Sequence, residues 1–159
     1  MDAKQIMVKM VLDRWYAQIK NTDDALNLLS DEQLQREVAP GKNRGIYLLG
    51  HLIAVHDDML PILNFGDRLF PELQEPFIKQ PDKAVPQLTS AATLRTFWEK
   101  LNSVLTEKIN GMPLEEWFNR HNSVSQDDFE KEPHRNKLNI IITRTSHLSY
   151  HLGQLILLK

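Results

Sequence analysis

Two histidines four residues apart, His147 and His151, sit in a helix-forming run near the end of the chain. On an α-helix that spacing stacks the two rings on one face, where both can reach one ion. A third, His51, falls in another apolar run, in line with Leu48, Val55 and Ile62 at helical spacing. Neutral imidazoles on apolar faces must still satisfy their ring nitrogens, and three of them converging in an interior are costly unless something accepts their lone pairs. A divalent cation does this for all three. Three histidine ligands with one position left for water or substrate form a catalytic type of site. His56, about 140° around the helix from His51, falls outside it. An isolated pair at this spacing is also what two satisfied or surface histidines present, and His56, His121 and His134 take that reading.

Four neighbours are candidates for the same site. Arg144, three residues before His147, could clamp a substrate carboxylate, or else pair with Asp58 or lie on the helix surface. Asp58, seven after His51, could accept a ligand N–H or act as a general base, or be an ordinary ion-paired aspartate. Gln154, three after His151, could orient a ligand or water, and Tyr47, four before His51, could line a pocket; both equally fit plain packing. Trp15, Tyr16, Trp98 and Trp117 read as core aromatics.

Helical spacing supplies the elements that must hold these side chains. A first helix is expected from Asp2 to Leu29, with Ile6, Met10, Asp13 and Ala17 recurring at three and four, and Ser30-Asp31-Glu32-Gln33 is a capping box for a short turn. Asn43 is the expected cap of a second helix, which carries Leu48, Leu52, Val55 and Met59 and stops near Pro61. From Phe65 to Leu88 the chain holds Gly66, Pro71, Pro76, Pro81 and Pro86, a long crossover and not a core element. A third helix runs from Thr89 or Ser90 to Gly111, with Leu94, Phe97, Leu101, Val104, Leu105 and Ile109 inward. A helical turn over Pro113 to Trp117 and a polar connection over His121 to Pro133 lead to the last helix, Asn136 to Leu158. Four long helices with long connections make an all-α four-helix bundle, one domain over residues 1–159.

The last helix is apolar on nearly all sides, which places it centrally or against a second subunit. Ser146, Ser149 and Gly153 form a shallow strip on it, flanked by Ile142, Ile156 and Leu157. A homodimer whose interface uses the last helix or the third is therefore expected, the competing explanation being that the crossover covers this face.

Composition excludes several functions. With 19 Lys+Arg against 21 Asp+Glu there is no basic surplus for phosphates, so nucleic acid is not an expected partner. With no cysteine there is no disulfide, thiolate zinc site or cysteine nucleophile, and thiol chemistry can enter only with a substrate. The N-terminus lacks the pattern of a signal peptide and no apolar run approaches the roughly 18 residues that span a bilayer, so a soluble cytoplasmic protein with a small-molecule substrate is expected. No Glu-x-x-His occurs, so the carboxylate-bridged di-iron site of some bundles is not encoded. His-Glu-x-x-His, Gly-x-Ser-x-Gly and phosphate-loop motifs are absent too.

Gly50-His51-Leu52 on an early helix and His147-x-x-x-His151-x-Gly153-Gln154 near the end resemble the DinB/YfiT-like family of bundles. Leu29 to Leu34 before the Pro-Gly loop and Phe65-Gly66-Asp67-Arg68-Leu69-Phe70 fit the same pattern, and the resemblance spans nearly the whole chain. It implies an up-down-down-up bundle, usually dimeric, holding a divalent metal on His51, His147 and His151. Imidazole suits zinc, nickel, iron and copper alike, with zinc or nickel expected. Activities in the superfamily imply, as a class, a transferase or isomerase that uses a low-molecular-weight thiol such as bacillithiol, mycothiol or glutathione. A metal-dependent hydrolase and a non-catalytic dimeric metal-binding stress-response bundle are the alternatives.

Overall fold

The computed structural model describes residues 1–86 and 89–159. Residues 87 and 88, the end of the expected crossover, lie outside the described residues. Among the described residues the elements are helical: α1 Ala3–Leu28, α2 Asp31–Leu34, α3 Gly45–Asp57, α4 Met59–Ile62, α5 Ala91–Asn110, α6 Gln126–Lys131 and α7 Lys137–Leu155. Short 3₁₀ turns at Pro71–Leu73, Leu114–Phe118 and Ile156–Leu158, and one π turn at Glu75–Lys79, complete them.

Local signals set the ends. Asp2 and Ser30 each form a reciprocal capping box, with Gln5 and with Gln33, and Ser90 and Asn136 cap α5 and α7 through their side chains. Such caps satisfy orphan N–H groups and contribute about 1 kcal/mol each. Asn43 does not cap α3. The cap is Arg44, which makes no side-chain cap bond; instead Asp82, 38 residues on, accepts from its backbone N–H at 2.8 Å.

The inward face of α1 also differs from expectation. Ile6 and Met10 are exposed, and the core takes Val8, Trp15, Thr22 and Leu26, with Leu12 and Ile19 half-buried between them. Positions 8, 12, 15, 19, 22 and 26 alternate by four and three just as 6, 10, 13 and 17 do. Two stripes share one period, and the stripe that includes Trp15 buries far more apolar surface.

Contacts at both ends of each helix give the directions. Tyr16 donates to Asn110, Trp98 Nε1 to Asp23 at 2.7 Å, and Arg95 to the carbonyls of Leu26 and Leu29, so α1 and α5 are antiparallel. Lys4 and Lys137, near the starts of α1 and α7, pair with Glu115 and Glu116 of one turn. At the far end Gln33 donates to the Leu158 carbonyl at 3.0 Å, which makes α1 and α7 parallel. α3 begins where α7 ends, since a Cβ on Gly45 would meet Leu158, and α4 ends where Asn122 donates to the Ile62 carbonyl. The bundle is therefore up, down, down, up. Only a long connection can return the chain between the parallel α3 and α5.

That connection is a strap laid along α3 in the reverse direction. Asp57 accepts from the backbone N–H groups of Leu69 and Phe70 at 2.8 Å each; Gln74 donates to the Ala54 carbonyl; Tyr47 donates to the Gln80 carbonyl at 2.7 Å; Asp82 pairs with Arg44. Contrary to the expectation of a segment outside the core, Phe70, Leu73 and Phe77 are buried. The prolines prevent a long helix, yet apolar residues at three and four still face one way when the turns between them are 3₁₀ and π. The apolar outer face of α7 and of the turn after it is left uncovered among the described residues: Ile142, Tyr150, Ile156 and Leu157 are exposed.

Candidate metal centre

α3 and α7 cross where His51 meets His147 and His151. His147 Nε2 lies 3.2 Å from His51 Nε2 and 3.1 Å from His151 Nε2. Two nitrogens each about 2.05 Å from an ion at the tetrahedral angle stand roughly 3.3 Å apart, so these separations are those of ligands to one ion. The three rings can together hold a metal ion.

The opposite ring nitrogens show which way the lone pairs face. His51 Nδ1 is 2.8 Å from the Phe77 carbonyl, which can only accept, so Nδ1 carries the proton and Nε2 is left basic. His151 Nδ1 donates to Gln154 Oε1 at 2.7 Å with the same result. His147 Nδ1 is buried without a partner. Two Nε2 lone pairs thus face His147 at hydrogen-bond distance, and one ring proton cannot serve both. A cation placed between them serves all three.

Electrostatics agree with neutral ligands. Burial pushes His147 down to about 4, helped by His151, His51 and Arg144. Burial also lowers His151, partly opposed by its bond to Gln154. Both are unprotonated at neutral pH, as metal ligands must be.

The orientation of His51 depends on Gly50. A Cβ there would lie 2.3 to 2.5 Å from three atoms of the Phe77 ring, so only glycine lets that ring lie on α3. The ring's seat puts the Phe77 carbonyl at His51. Neither residue was singled out as a ligand-orienting group from sequence. Gly50 beside His51 inside an apolar helix was the available signal, while a backbone carbonyl from a connection has none.

The other candidates are placed as follows. Gln154 orients His151. Tyr47 lies parallel to His51, with interplanar angle 10° and centroids 6.3 Å apart, but its hydroxyl is turned to Gln80. Of the readings open to Asp58, the structure shows the ion pair: its Oδ1 accepts from Arg68 at 2.5 Å and Gln74 at 3.0 Å. The strap's carbonyl holds the place at His51, and Asp58 is tied to the strap. Arg144 is half-buried, its Nε is enclosed without a partner, and among the described residues no carboxylate is within ion-pair distance of it. Burial lowers its pKa, with Asp58 acting weakly the other way, and its charge is felt at His147. His56 is fully buried between Trp15 and Trp98, ring centroids 5.0 and 5.3 Å away. His121 is buried and His134 exposed.

A helical bundle with a three-histidine cluster between antiparallel helices is the class that fold and site define. Residues 14–155 match the DinB superfamily, and the chain belongs to it. No curated protein matches the chain significantly. Among solved structures it is similar to a conserved protein of Enterococcus faecalis, with TM-score 0.64 and 13% identity over 98% of this chain and 94% of that one. That likeness concerns the fold. Membership and cluster together are compatible with a metal-binding protein, and no helix among the described residues is long and apolar enough to cross a membrane.

Proposed function

We propose that the chain is a divalent-metal-dependent enzyme, a transferase or isomerase that uses a low-molecular-weight thiol on a small molecule. The observation that carries this is that the Nε2 atoms of His51 and His151 lie 3.2 and 3.1 Å from that of His147, with the tautomers of His51 and His151 set by acceptors behind the ring. Zinc or nickel is the expected ion. A divalent ion held there supplies Lewis acidity and lowers the pKa of a thiol or water that takes its open position. His51, His147 and His151 hold that point, and Phe77 and Gln154 keep the rings aimed at it.

Arg144 supports an anionic group on the ligand. A half-buried guanidinium with no carboxylate at ion-pair distance among the described residues is poised for one brought by the substrate or thiol, and it binds such groups in a fork. Of the thiols named above, glutathione and bacillithiol carry carboxylates and mycothiol has none, so this contact favours the first two. Because the chain has no cysteine, the sulfur must come with the cosubstrate.

The test is elemental analysis of untagged protein, then titration of the cobalt(II) form with glutathione and with cysteamine, which lacks the carboxylates. Glutathione should perturb the cobalt spectrum and bind more tightly than cysteamine, and Arg144→Gln should erase most of that difference. An unchanged spectrum with either thiol sinks the thiol reading.

We also propose a homodimer through the outer face of α7 and the 3₁₀ turn that follows it. Ile142, Tyr150, Ile156 and Leu157 are exposed there, Ser146 is exposed, and a Cβ on Gly153 would meet open space. Ser149, by contrast, takes a hydrogen bond from Gln18 within the chain. Light scattering at micromolar concentration decides it, a mass near 18.5 kDa refuting the dimer.

A further inference from the structure

Between α3 and the strap lies a cavity of about 370 Å³, lined by Tyr47 and Phe77 but by none of the three histidines. Its volume is in the range of small-molecule sites, about 300 to 1,000 Å³. Ile46, Pro76, Phe77, Val85 and Pro86 make it chiefly apolar, and prolines present no N–H to a ligand. Most of the charges around it are already engaged, Arg44 with Asp82, Lys83 with Glu37, and Glu75 with Lys79, and the remaining one, Glu72, is exposed to solvent. A charged ligand would find little to pair with, whereas an apolar one restores contacts that an unfilled apolar space forgoes.

Two of the lining residues also define the position of His51. The Phe77 carbonyl fixes its Nδ1 proton, and the Tyr47 ring runs parallel to the imidazole. Anything that presses on both side chains acts on the ring that they position.

We propose that this cavity binds a neutral, mainly apolar small molecule with the bulk of a fused aromatic ring system, at a place separate from the histidine cluster, and that its occupation is transmitted to His51 through Phe77 and Tyr47. The proposal does not rest on the metal reading, because both of its parts are measurable in metal-free protein.

The experiment titrates the metal-free chain with 1-aminoanthracene, a neutral fluorophore, and follows the histidine imidazole signals by NMR. Saturable binding of one probe per chain is expected, together with a shift of the His51 signals and none of the exposed His134. Val85→Trp fills the cavity from the strap and should weaken binding about tenfold or more, that is by about 1.4 kcal/mol. Pro86→Trp fills it from a neighbouring position should the first variant fail to fold by circular dichroism. The proposal is overturned if binding is not saturable, if a folded filling variant binds as the parent does, if the anionic probe 1-anilinonaphthalene-8-sulfonate binds more tightly, or if His51 does not respond at saturation.

Discussion

Gly50→Ala tests the link between the strap and the histidine cluster. The new Cβ would lie 2.3 Å from Phe77 Cε1 and 2.5 Å from Cδ1 and Cζ, more than 1 Å inside ordinary carbon contact of about 3.5–4.0 Å. The ring is buried at 7% exposure, so it retreats only by moving the π turn that carries it. Overpacking of this kind costs about 1–3 kcal/mol, while alanine in a helix regains roughly 1 kcal/mol over glycine. The metal-free protein should therefore lose about 0–2 kcal/mol, read from urea unfolding. The larger effect is expected in zinc affinity: with the Phe77 carbonyl withdrawn from His51 Nδ1, now 2.8 Å away, an orienting partner is lost, worth about 10- to 100-fold. Competition with a chromophoric chelator measures it. Adding Phe77→Leu should relieve the clash and recover stability without restoring affinity in full. Zinc binding by Gly50→Ala within twofold of the parent would refute the reasoning.

Other perturbations rank the parts of the site and the core. Alanine at His51, His147 or His151 should cut zinc affinity by far more than Gln154→Leu, for which about tenfold is expected because only an orienting bond is lost; equal losses in the chelator assay would contradict these roles. His56 is held down to about 3 by burial, below its unfolded value near 6.5, so the unfolded chain takes its proton first. Stability should then fall as pH drops below 6.5 and level off only below about 3, with about 3 kcal/mol lost by pH 4.5; urea unfolding of metal-free His56→Leu should show a shallower slope in that window. Asp57→Asn leaves one of the Leu69 and Phe70 N–H groups without a good acceptor and should cost about 1.5–3 kcal/mol, with limited proteolysis inside the strap as a second readout. Arg144→Gln should tighten zinc binding in the absence of any anion, since it removes a nearby positive charge; weaker binding in isothermal titration would count against the placement.

What could be read from sequence divides along the range of the interaction. Caps such as Ser30 and Ser90 bond three residues ahead, and the lines joining His51 to Leu48 and His147 to His151 follow from helical geometry alone. Gln154 was accessible by the same rule, three residues after its partner. The helix face of α1 was not, because the stripes at Ile6 and at Val8 obey one period and only the packing partners separate them. Neither was the cap of α3, which comes from Asp82 across the strap. Counting along one helix left Asp58 open as an acceptor for a ligand N–H, a general base or an ion-paired aspartate, yet the acceptor at His51 arrives as a main-chain carbonyl from Phe77. Backbone groups carry no residue type, so an acceptor of that kind becomes visible only once the connection is folded.

Apart from the side-chain amide of Asn102 on α5, the buried polar side-chain atoms without protein partners among the described residues belong to α3 and α7. His147 Nδ1, both ring nitrogens of His56 and Arg144 Nε belong to this set, and the charge of Arg144 is felt at His56 and at His147. Each unsatisfied group costs about 1–3 kcal/mol, and apolar side chains of similar shape would remove that cost in a bundle otherwise filled with leucine and isoleucine. Folding alone therefore does not account for them. A cation on the three Nε2 atoms explains the histidine cluster but worsens the position of Arg144, since two positive centres then share one low-dielectric region. An anion between them reverses the sign of that interaction. Metal and anionic ligand each relieve the strain the other imposes, so each should raise the other's affinity by the same factor. Under the proposed function, a thiolate carried on a carboxylate-bearing molecule would present both negative groups at once, where water alone would present one.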